Sequence, residues 1–238
     1  MHAVIIGASG GLGSAFTKAL AQRHEVKIVH ALSRSGSAPS GPNILSGRLD
    51  LSDENSISVA ANEVAEHGAP DLVIVATGLL SDDGDLRPEK SFRQQTPSAF
   101  EQVFAVNTFG PALVAKHFLP IMPRAGRAVF AALSARVGSI SDNRMGGWHA
   151  YRASKAALNM LIRNYAIEQA RRNPDFIAVS LHPGTVDTEL SKPFQSGVPD
   201  KQLFSADQSA AYLLDVMAGL GPSNSGKAYD WAGKEIPA

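Results

Sequence analysis

Tyr151 and Lys155 stand four positions apart in the run Tyr-Arg-Ala-Ser-Lys. On a helix this spacing places both side chains on one face, one turn apart, so the lysine ammonium can approach whatever the tyrosine phenol contacts. A free phenol, with a pKa near ~10, holds its proton too tightly for acid–base catalysis at neutral pH, and a neighbouring cation favours the phenolate. The pair therefore indicates a proton-transferring tyrosine, although the same spacing also occurs on ordinary solvated helix faces.

A second motif, close to the start of the chain, could hold a dinucleotide. An apolar run ending at Ile6 is followed at once by a glycine-rich turn and then by a helical pattern. Glycines at such a junction let the backbone turn tightly and approach a pyrophosphate at a helix N-terminus. The predicted contacts are Gly7, Ser9, Gly10, Gly11, Leu12 and Gly13. The spacing differs by one residue from the common dinucleotide fingerprint, and a plain connecting turn is the alternative.

The residues just after the second predicted strand are expected to determine whether the chain binds NAD(H) or NADP(H). Ser33 and Arg34 stand where an acidic residue would bind the ribose 2′-hydroxyl of NAD. A guanidinium pairs with phosphate through two hydrogen bonds, so this pair favours NADP(H) over NAD(H). Asp50 and Leu51, after the third predicted strand, would lie near the adenine amino group. The alternatives are a solvated loop arginine and an aspartate that ends a strand or caps a helix.

Short apolar runs alternate with helical patterns along the chain, and these elements must position both motifs. We predict strands at residues 3–6, 27–32, 44–49, 72–76, 128–133 and 177–182, and helices at residues 12–23, 54–67, 98–118, 149–171 and 206–220. Continuously apolar strands that alternate with helices indicate a parallel sheet covered on both faces. The predicted fold is a single α/β domain over residues 1–238, with a Rossmann-like, doubly wound parallel sheet of about seven strands.

Composition excludes several other classes of protein. Lys plus Arg and Asp plus Glu both number 22, so no net field favours nucleic acid or an anionic membrane. The chain has no cysteine, and its seven histidines lack metal-ligand spacing, so we predict no metal site. No apolar stretch is long enough to span a membrane, and the start of the chain does not resemble a signal peptide. We therefore expect a cytoplasmic protein without nucleic-acid or membrane partners.

Taken together, the glycine turn, the Tyr–Lys pair and the strand–helix alternation resemble the short-chain dehydrogenase/reductase family over nearly all 238 residues. Residues 151–160 and 226–237 are similar to its bacterial C-factor type. The resemblance implies that Tyr151 protonates a carbonyl oxygen, and that Lys155 lowers the tyrosine pKa and binds the nicotinamide ribose. It also implies that Asn107 holds a water in a proton relay, for which a buried amide bracing a helix is the alternative.

Further cofactor contacts are implied by the same resemblance. Gly78 is retained from the family's Asn-Asn-Ala-Gly turn, in which Val75 and Ala76 replace the asparagines. The segment that follows the sixth predicted strand would fix the carboxamide of the nicotinamide. Its predicted contacts are Pro183, Gly184, Val186 and Thr188.

One departure from the family pattern concerns the catalytic serine after the fifth predicted strand. The family usually has two serines there, of which the second is catalytic, whereas this chain has Ser134 followed by Ala135. Ser134 is the predicted catalytic serine, and Ser139 is the other candidate. Because successive strand residues point to opposite faces, Ser134 reaches the substrate only if the strand end bulges. A missing hydrogen-bond donor can cost about 10²–10³ in rate, so slow turnover is expected.

The resulting prediction is an NADP(H)-dependent oxidoreductase that interconverts a carbonyl and an alcohol on a small, partly apolar substrate. Residues 189–205 are the predicted lid, and its apolar side chains are Leu190, Pro193, Phe194, Val198 and Phe204. The family resemblance implies a homodimer or homotetramer that pairs through helices 98–118 and 149–171. One alternative is a nucleotide-binding signalling or regulatory protein with weak or no turnover. Another is a serine hydrolase that uses Ser9, because Gly7 to Gly11 also matches the Gly-x-Ser-x-Gly pattern.

Overall fold

The computed structural model describes residues 1–196, 199 and 202–238. The strands are β1 His2–Ile6, β2 Ile28–Ser33, β3 Ile44–Arg48, β4 Leu72–Val75, β5 Ala128–Leu133, β6 Phe176–His182, β7 Thr185–Val186, β8 Leu203–Phe204, β9 Lys227–Asp230 and β10 Glu235–Ile236. The α-helices are α1 Gly11–Ala21, α2 Glu54–Glu66, α3 Pro97–Phe104, α4 Gly110–Phe118, α5 His149–Ala170 and α6 Ala206–Gly219. Among the described residues, no helix is long and apolar enough to cross a membrane.

Eight strands form one sheet in the order β10-β9-β6-β5-β4-β1-β2-β3. Seven of them are parallel, and only the short β10 runs antiparallel to its neighbour β9. The strand order reverses direction between β1 and β4, as in a doubly wound fold. The predicted α/β architecture with a mostly parallel sheet is therefore confirmed, and both sequence motifs follow strands that end at the same edge.

Each face of the sheet carries its own hydrophobic core because side chains alternate along each strand. In β1, for example, Ala3 and Ile5 pack with α1 and α6, whereas Val4 and Ile6 pack with α2, α4 and α5. All four side chains are completely or almost completely buried. Because both faces of the sheet are buried, the strands appear in the sequence as continuous apolar runs. The packed sheet also supports the residues at the carboxyl ends of its strands.

The predicted helix 98–118 is interrupted, which is a correction. A π turn at Ala105–Phe109 separates α3 from α4, and Pro111 lies at the second position of α4. Proline has no N–H to donate to the carbonyl four residues earlier, and its ring crowds that carbonyl. The carbonyl concerned is that of Asn107, so the helix widens at that residue. Such π turns often occur at functional sites.

Four strands were not predicted, and all lie beyond β6. β7, β8 and β10 have two residues each, which is too short for an alternating pattern to be recognised. β9 was missed because its sequence, Lys-Ala-Tyr-Asp, is only half apolar. β7 lies just before the predicted lid segment 189–205 and pairs with β8, which lies near the end of that segment. Val198 of that segment lies outside the described residues.

Three histidines stack where β1, β2 and the end of α2 meet. The ring centroids of His2 and His30 are 5.0 Å apart, and those of His30 and His67 are also 5.0 Å apart. Both ring nitrogens of His2 and Nε2 of His30 are buried without a hydrogen-bond partner in the described part of the chain. Burial lowers the pKa of His30 to about 4 and also lowers that of His2, which Asp71 partly counteracts.

Acid is therefore expected to destabilise the fold through this stack. Unfolded His30 binds a proton near its ordinary pKa of 6.5, whereas the folded form resists protonation down to about pH 4. The unfolded state holds more protons in this window, so stability falls as the pH drops from 6.5 towards 4. For His30 the loss between pH 7.5 and pH 5 amounts to about 2 kcal/mol.

Urea unfolding of the unmutated protein and of His30→Leu at pH 7.5 and pH 5 measures this loss. The variant should lose about 2 kcal/mol less than the unmutated protein over the same interval. His182, whose pKa burial also lowers to about 4, keeps part of the pH dependence in both proteins. Equal losses in both proteins would rule out His30 as a cause of the pH dependence.

Candidate active site

The glycine-rich turn joins β1 to α1 and leaves the start of that helix open. Gly7 has φ +91°, a left-handed conformation that glycine adopts without strain, and its N–H donates to Leu32 O at 2.8 Å. Helix α1 begins after Gly10 with no side-chain cap and no acidic residue in its first turn. Ser9, Gly10 and Gly11 are exposed. The N–H groups of the first turn are thus available to an anion.

The turn Gly7 to Gly13, which we call the glycine cradle, is packed closely by the segments around it. A Cβ on Gly13 would overlap Gly7 O, and a Cβ on Gly11 would lie 2.7 Å from Thr188 Cγ2. Leu12, between these glycines, packs against the core next to α1. Beside Gly7, the buried Thr77 hydroxyl has no hydrogen-bond partner among the described residues. The missing side chains let α1 and Thr188 approach the turn closely, and the hydroxyl of Thr77 is a polar group that a bound dinucleotide could satisfy.

Basic residues flank the end of β2, where the adenosine ribose is expected. Arg34 is exposed and forms no ion pair within the part of the chain that the structure describes. Arg48, which the sequence interpretation did not single out, ends β3 directly beside Ser33. Ser33 itself is buried, and its hydroxyl donates to Ser37 O at 2.7 Å. Two cations therefore lie at this edge, and Ser33 shapes the turn between the strands.

Asp50 and Leu51 have structural contacts at the adenine end of the site. Asp50 Oδ1 accepts hydrogen bonds from the backbone N–H and the hydroxyl of Ser52. These bonds, together with nearby Arg34 and smaller contributions, hold the pKa of Asp50 below its ordinary value. Leu51 packs against Gly110 at the start of α4, where a Cβ would lie 2.8 Å from Leu51 Cδ1. The turn is thereby fixed next to the predicted adenine position.

The predicted Tyr151–Lys155 pair lies on the buried side of α5. Lys155 Nζ is 5.8 Å from the centroid of the Tyr151 ring and donates to Leu133 O at 2.8 Å. Burial raises the pKa of Tyr151 to about 12 and lowers the pKa of Lys155 to about 7. The resemblance implied that Lys155 lowers the pKa of Tyr151. That expectation is corrected, because the pKa is raised overall: the cost of desolvating the phenolate dominates. The phenol is therefore protonated at neutral pH, and burial makes it hold that proton more tightly than a free tyrosine does.

Small residues allow the lysine to reach this position. A Cβ on Gly138 would lie 2.8 Å from Lys155 Cβ, so the turn Arg136–Gly138 packs directly on α5. A Cβ on Gly78 would lie 3.9 Å from Lys155 Nζ and 3.8 Å from Asn107 Oδ1. Gly78 thus lies between the lysine and the π turn, close to the predicted nicotinamide end of the site.

Asn107 braces the site through all of its side-chain polar atoms. Its Oδ1 accepts from Leu79 N–H at 2.8 Å, and its Nδ2 donates to Leu79 O at 2.8 Å and to Ser154 Oγ at 3.1 Å. These bonds tie the π turn to the loop after β4 and to α5. These contacts favour the interpretation of Asn107 as a buried amide that braces the helix. Its role in a water relay remains a prediction.

The end of β5 turns Ser134 and Ala135 in different directions. Ser134 Oγ donates to Asn159 Oδ1 at 2.8 Å, two turns along α5 from Tyr151. Ala135 instead packs against the apolar cluster that contains Tyr151. Ser139 is buried, and its hydroxyl accepts from Asp142 N–H at 3.1 Å. The contacts of Ser134 do not bring it to the tyrosine, so its catalytic role remains a prediction without geometric support.

The segment after β6 closes over the glycine turn. Pro183 O accepts from the hydroxyl of Ser209 in α6, and Gly184 has φ +78°. Val186 is buried in β7, and the methyl group of Thr188 lies beside Gly11. The structure therefore brings these predicted carboxamide contacts next to the predicted pyrophosphate contacts.

An apolar wall surrounds Tyr151. The Trp148 ring lies 6.2 Å from the Tyr151 ring and 5.2 Å from the Phe194 ring. Leu190 packs on the same cluster, so the described part of the predicted lid covers the tyrosine. The buried members of the cluster are Leu80, Leu86, Val103, Ala150 and Tyr151. Trp148 was not predicted; it precedes α5 with a left-handed backbone conformation, φ +51°, which the sequence pattern does not reveal.

Ser9 has no partner of the kind that a hydrolase needs. In the described part of the chain, the hydrogen bonds of histidine rings go to Glu54 and Glu63, and none joins Ser9. A nucleophilic serine requires a base within hydrogen-bond reach. The geometry therefore does not support the hydrolase alternative.

The fold, the glycine turn and the buried Tyr–Lys pair define the class of protein to compare, and comparison with known proteins gives its family. The sequence profile of the family described as short chain dehydrogenase matches residues 1–198. The chain belongs to this family of NAD(P)-dependent oxidoreductases.

Individual relatives agree with this membership. The C-signal protein of Myxococcus xanthus is 38% identical over 136 residues, covering 57% of this chain and 76% of that protein. The 1-hydroxy-2-glutathionyl-2-methyl-3-butene dehydrogenase of a Rhodococcus strain is 27% identical over 228 residues, covering 94% of this chain and 93% of that protein. The NADPH-bound carbonyl reductase from chicken fatty liver superposes with a TM-score of 0.83 at 26% identity, covering 100% of this chain and 98% of that one.

Proposed function

We propose that the chain is an NADP(H)-dependent reductase of small, partly apolar carbonyl compounds, with Tyr151 as the general acid. The observation that carries the proposal is the position of Tyr151, which lies beside Lys155 and within an apolar wall, at the edge of the sheet that holds the glycine cradle. Similarity to a chicken carbonyl reductase with bound NADPH supports the same chemistry.

The roles of the residues follow from their surroundings. The dinucleotide, when bound, supplies the hydride that reduces the carbonyl carbon. Tyr151 donates its proton to the carbonyl oxygen, which gives the alcohol and leaves a phenolate. Lys155 stabilises that phenolate in its ammonium form, which is only partly populated at neutral pH because burial lowers the lysine pKa to about 7. The glycine cradle and the segment Pro183 to Thr188 orient the cofactor.

The wall around Tyr151 sets the class of substrate. Trp148, Leu190 and Phe194 present aromatic and aliphatic surface next to the phenol. A charged group packed against this surface would lose hydration that the apolar side chains do not replace. We therefore propose neutral carbonyl compounds with an aromatic or aliphatic body.

Steady-state oxidation of NADPH with a panel of aldehydes, ketones and quinones tests the proposal. We expect turnover with aromatic members of the panel and formation of one alcohol for each NADPH consumed. Binding of NADPH without oxidation on any member would contradict the proposal.

We propose that Arg34 selects NADP(H) by pairing with the 2′-phosphate, aided by Arg48 on the neighbouring strand. In Arg34→Ala the dissociation constant for NADPH should rise about tenfold, because a charge-assisted pair with phosphate is lost. The constant for NADH should change little. Fluorescence titration of both cofactors measures the two constants.

The matched control for this prediction is Arg172→Ala, which removes an equally exposed arginine just after α5. Its cofactor affinities should equal those of the unmutated protein. If the unmutated protein binds NADH as tightly as NADPH, Arg34 does not determine the choice.

A second candidate function is nucleotide-dependent signalling or regulation with weak turnover. Two observations favour it: Ala135 in the place of a catalytic serine, and the similarity to the C-signal of Myxococcus xanthus. The panel assay separates the candidates, because a regulator binds NADPH without consuming it.

We further propose that the chain forms a homodimer or homotetramer through α4 and α5. Large apolar side chains are exposed in and next to these helices: Phe109 by 58%, Met160 by 61% and Ile167 by 45%. Such a face is typical of an interface. Sedimentation equilibrium should give the mass of two or four chains, and a monomer at micromolar concentration would contradict this proposal.

A further inference from the structure

A buried carboxylate outside the motifs contacts the start of the helix that carries Tyr151. Glu89 lies in the loop between β4 and α3 and is only 4% exposed. Both of its carboxylate oxygens lie 3.3 Å from the backbone nitrogen of Ala150, the second residue of α5. A carboxylate at this position accepts hydrogen bonds from the first turn and is favoured by the helix dipole.

Within the described part of the chain, no other side chain caps the start of α5. Its N-cap residue is Trp148, which provides no capping side chain and has φ +51°, an uncommon conformation for a bulky residue. The Trp148 N–H donates to the backbone oxygen of Glu89 at 2.6 Å. A Cβ on Gly147 would lie only 3.3 Å from that same oxygen. Glu89 thus holds the start of α5 with both its backbone and its side chain.

The held segment continues directly into the site. Tyr151 is the third residue of α5, so a shift of the first turn moves the phenol with it. Trp148, at the other end of the same turn, forms the wall between Tyr151 and Phe194. The loop that carries Glu89 is anchored in turn, because Leu86 is buried in the cluster around Tyr151.

We propose that Glu89 is a positioning residue that fixes the Tyr151 phenol and the Trp148 ring relative to the cofactor. This inference rests on the proposed function of Tyr151 as the general acid. Displacement of a reacting group by about 1 Å can cost on the order of 10²-fold in rate, even when the displaced contact lies away from the chemistry. Removing a cap on the first turn shifts both residues at once.

The test compares Glu89→Ala and Glu89→Gln with Asn173→Ala. Asn173 is a matched control because it is also buried and also holds backbone groups, those of Pro123 and Gly126, in a loop without any predicted site residue. The kcat of each variant is calculated per NADPH-binding site, which is determined by NADPH titration. Unfolded protein therefore does not lower the measured kcat. Hydrogen exchange at the start of α5 reports the positioning directly, without turnover.

In Glu89→Ala we expect kcat per NADPH site to fall about tenfold, with NADPH affinity unchanged and faster exchange of the Trp148 and Ala150 amides. Glu89→Gln keeps an accepting oxygen and should restore kcat to within about threefold of the unmutated protein. Asn173→Ala should lose stability but keep kcat per site and the exchange of α5.

Unchanged kcat per site in Glu89→Ala would overturn the positioning role, and unchanged exchange at the start of α5 would overturn the contact on which it rests. An unmutated protein without reductase activity would overturn the proposed function instead. The exchange comparison would still decide whether Glu89 holds the helix, so the two failures are distinguishable.

Discussion

Replacement of Tyr151 by phenylalanine should lower kcat for carbonyl reduction about 10³-fold, since a general acid contributes about 10²–10⁴. The substitution removes one oxygen atom and keeps the ring that packs against Trp148. Phenylalanine has no hydroxyl, so the variant has no side-chain proton to donate to the carbonyl oxygen. Steady-state kinetics with saturating NADPH measure the effect.

Tyr165→Phe is the matched control for this prediction. Tyr165 also lies on α5, and burial, aided by Glu168, raises its pKa to about 12 as well. Its ring packs against Phe130 on the far part of the helix. The control should keep kcat, and both variants should keep the NADPH affinity of the unmutated protein. Activity within about threefold of the unmutated protein in Tyr151→Phe would exclude this tyrosine as the acid.

Replacement of Ala135 by serine should raise kcat about 10- to 100-fold, because a hydrogen-bond donor to the carbonyl oxygen is worth about 10²–10³. Ala135 packs with the cluster around Tyr151, so a hydroxyl added there lies on the same side of the strand end as the proposed acid. The gain is expected in kcat rather than in cofactor affinity, since the donor acts on the charge that develops during reduction.

Ser134→Ala provides the opposing test. Ser134 gives its hydrogen bond to Asn159, so its removal should cost some stability and leave kcat within about threefold. A collapse of activity in Ser134→Ala, together with no gain in Ala135→Ser, would show that Ser134 is the catalytic serine after all.

The fold was predictable because its determinants are local and repeated. Continuous apolar strands and intervening helical patterns give a parallel sheet with two helical layers, and alternation along β1 explains both cores. The two-residue strands carry too little pattern to be found, and the break at the π turn depends on one proline, Pro111, inside an otherwise regular pattern.

The candidate site was predictable only where neighbouring residues in the sequence are also neighbours in space. The Tyr151–Lys155 spacing and the glycine turn are of this kind. The direction of Ser134 depends on Asn159, and Glu89 reaches α5 from a loop 61 residues earlier in the chain. The pKa of Tyr151 was misjudged because the sequence shows the nearby cation but not the burial that outweighs it.

Transfer of a labelled hydride tests the central claim most directly. NADPH that carries deuterium at the transferable position of C4 is incubated with the protein and an aromatic ketone, and the mass of the alcohol is measured. The account predicts an alcohol one mass unit heavier, formed by the unmutated protein and at most in traces by Tyr151→Phe. An unlabelled alcohol, or no alcohol with any carbonyl compound while NADPH binds, would contradict it.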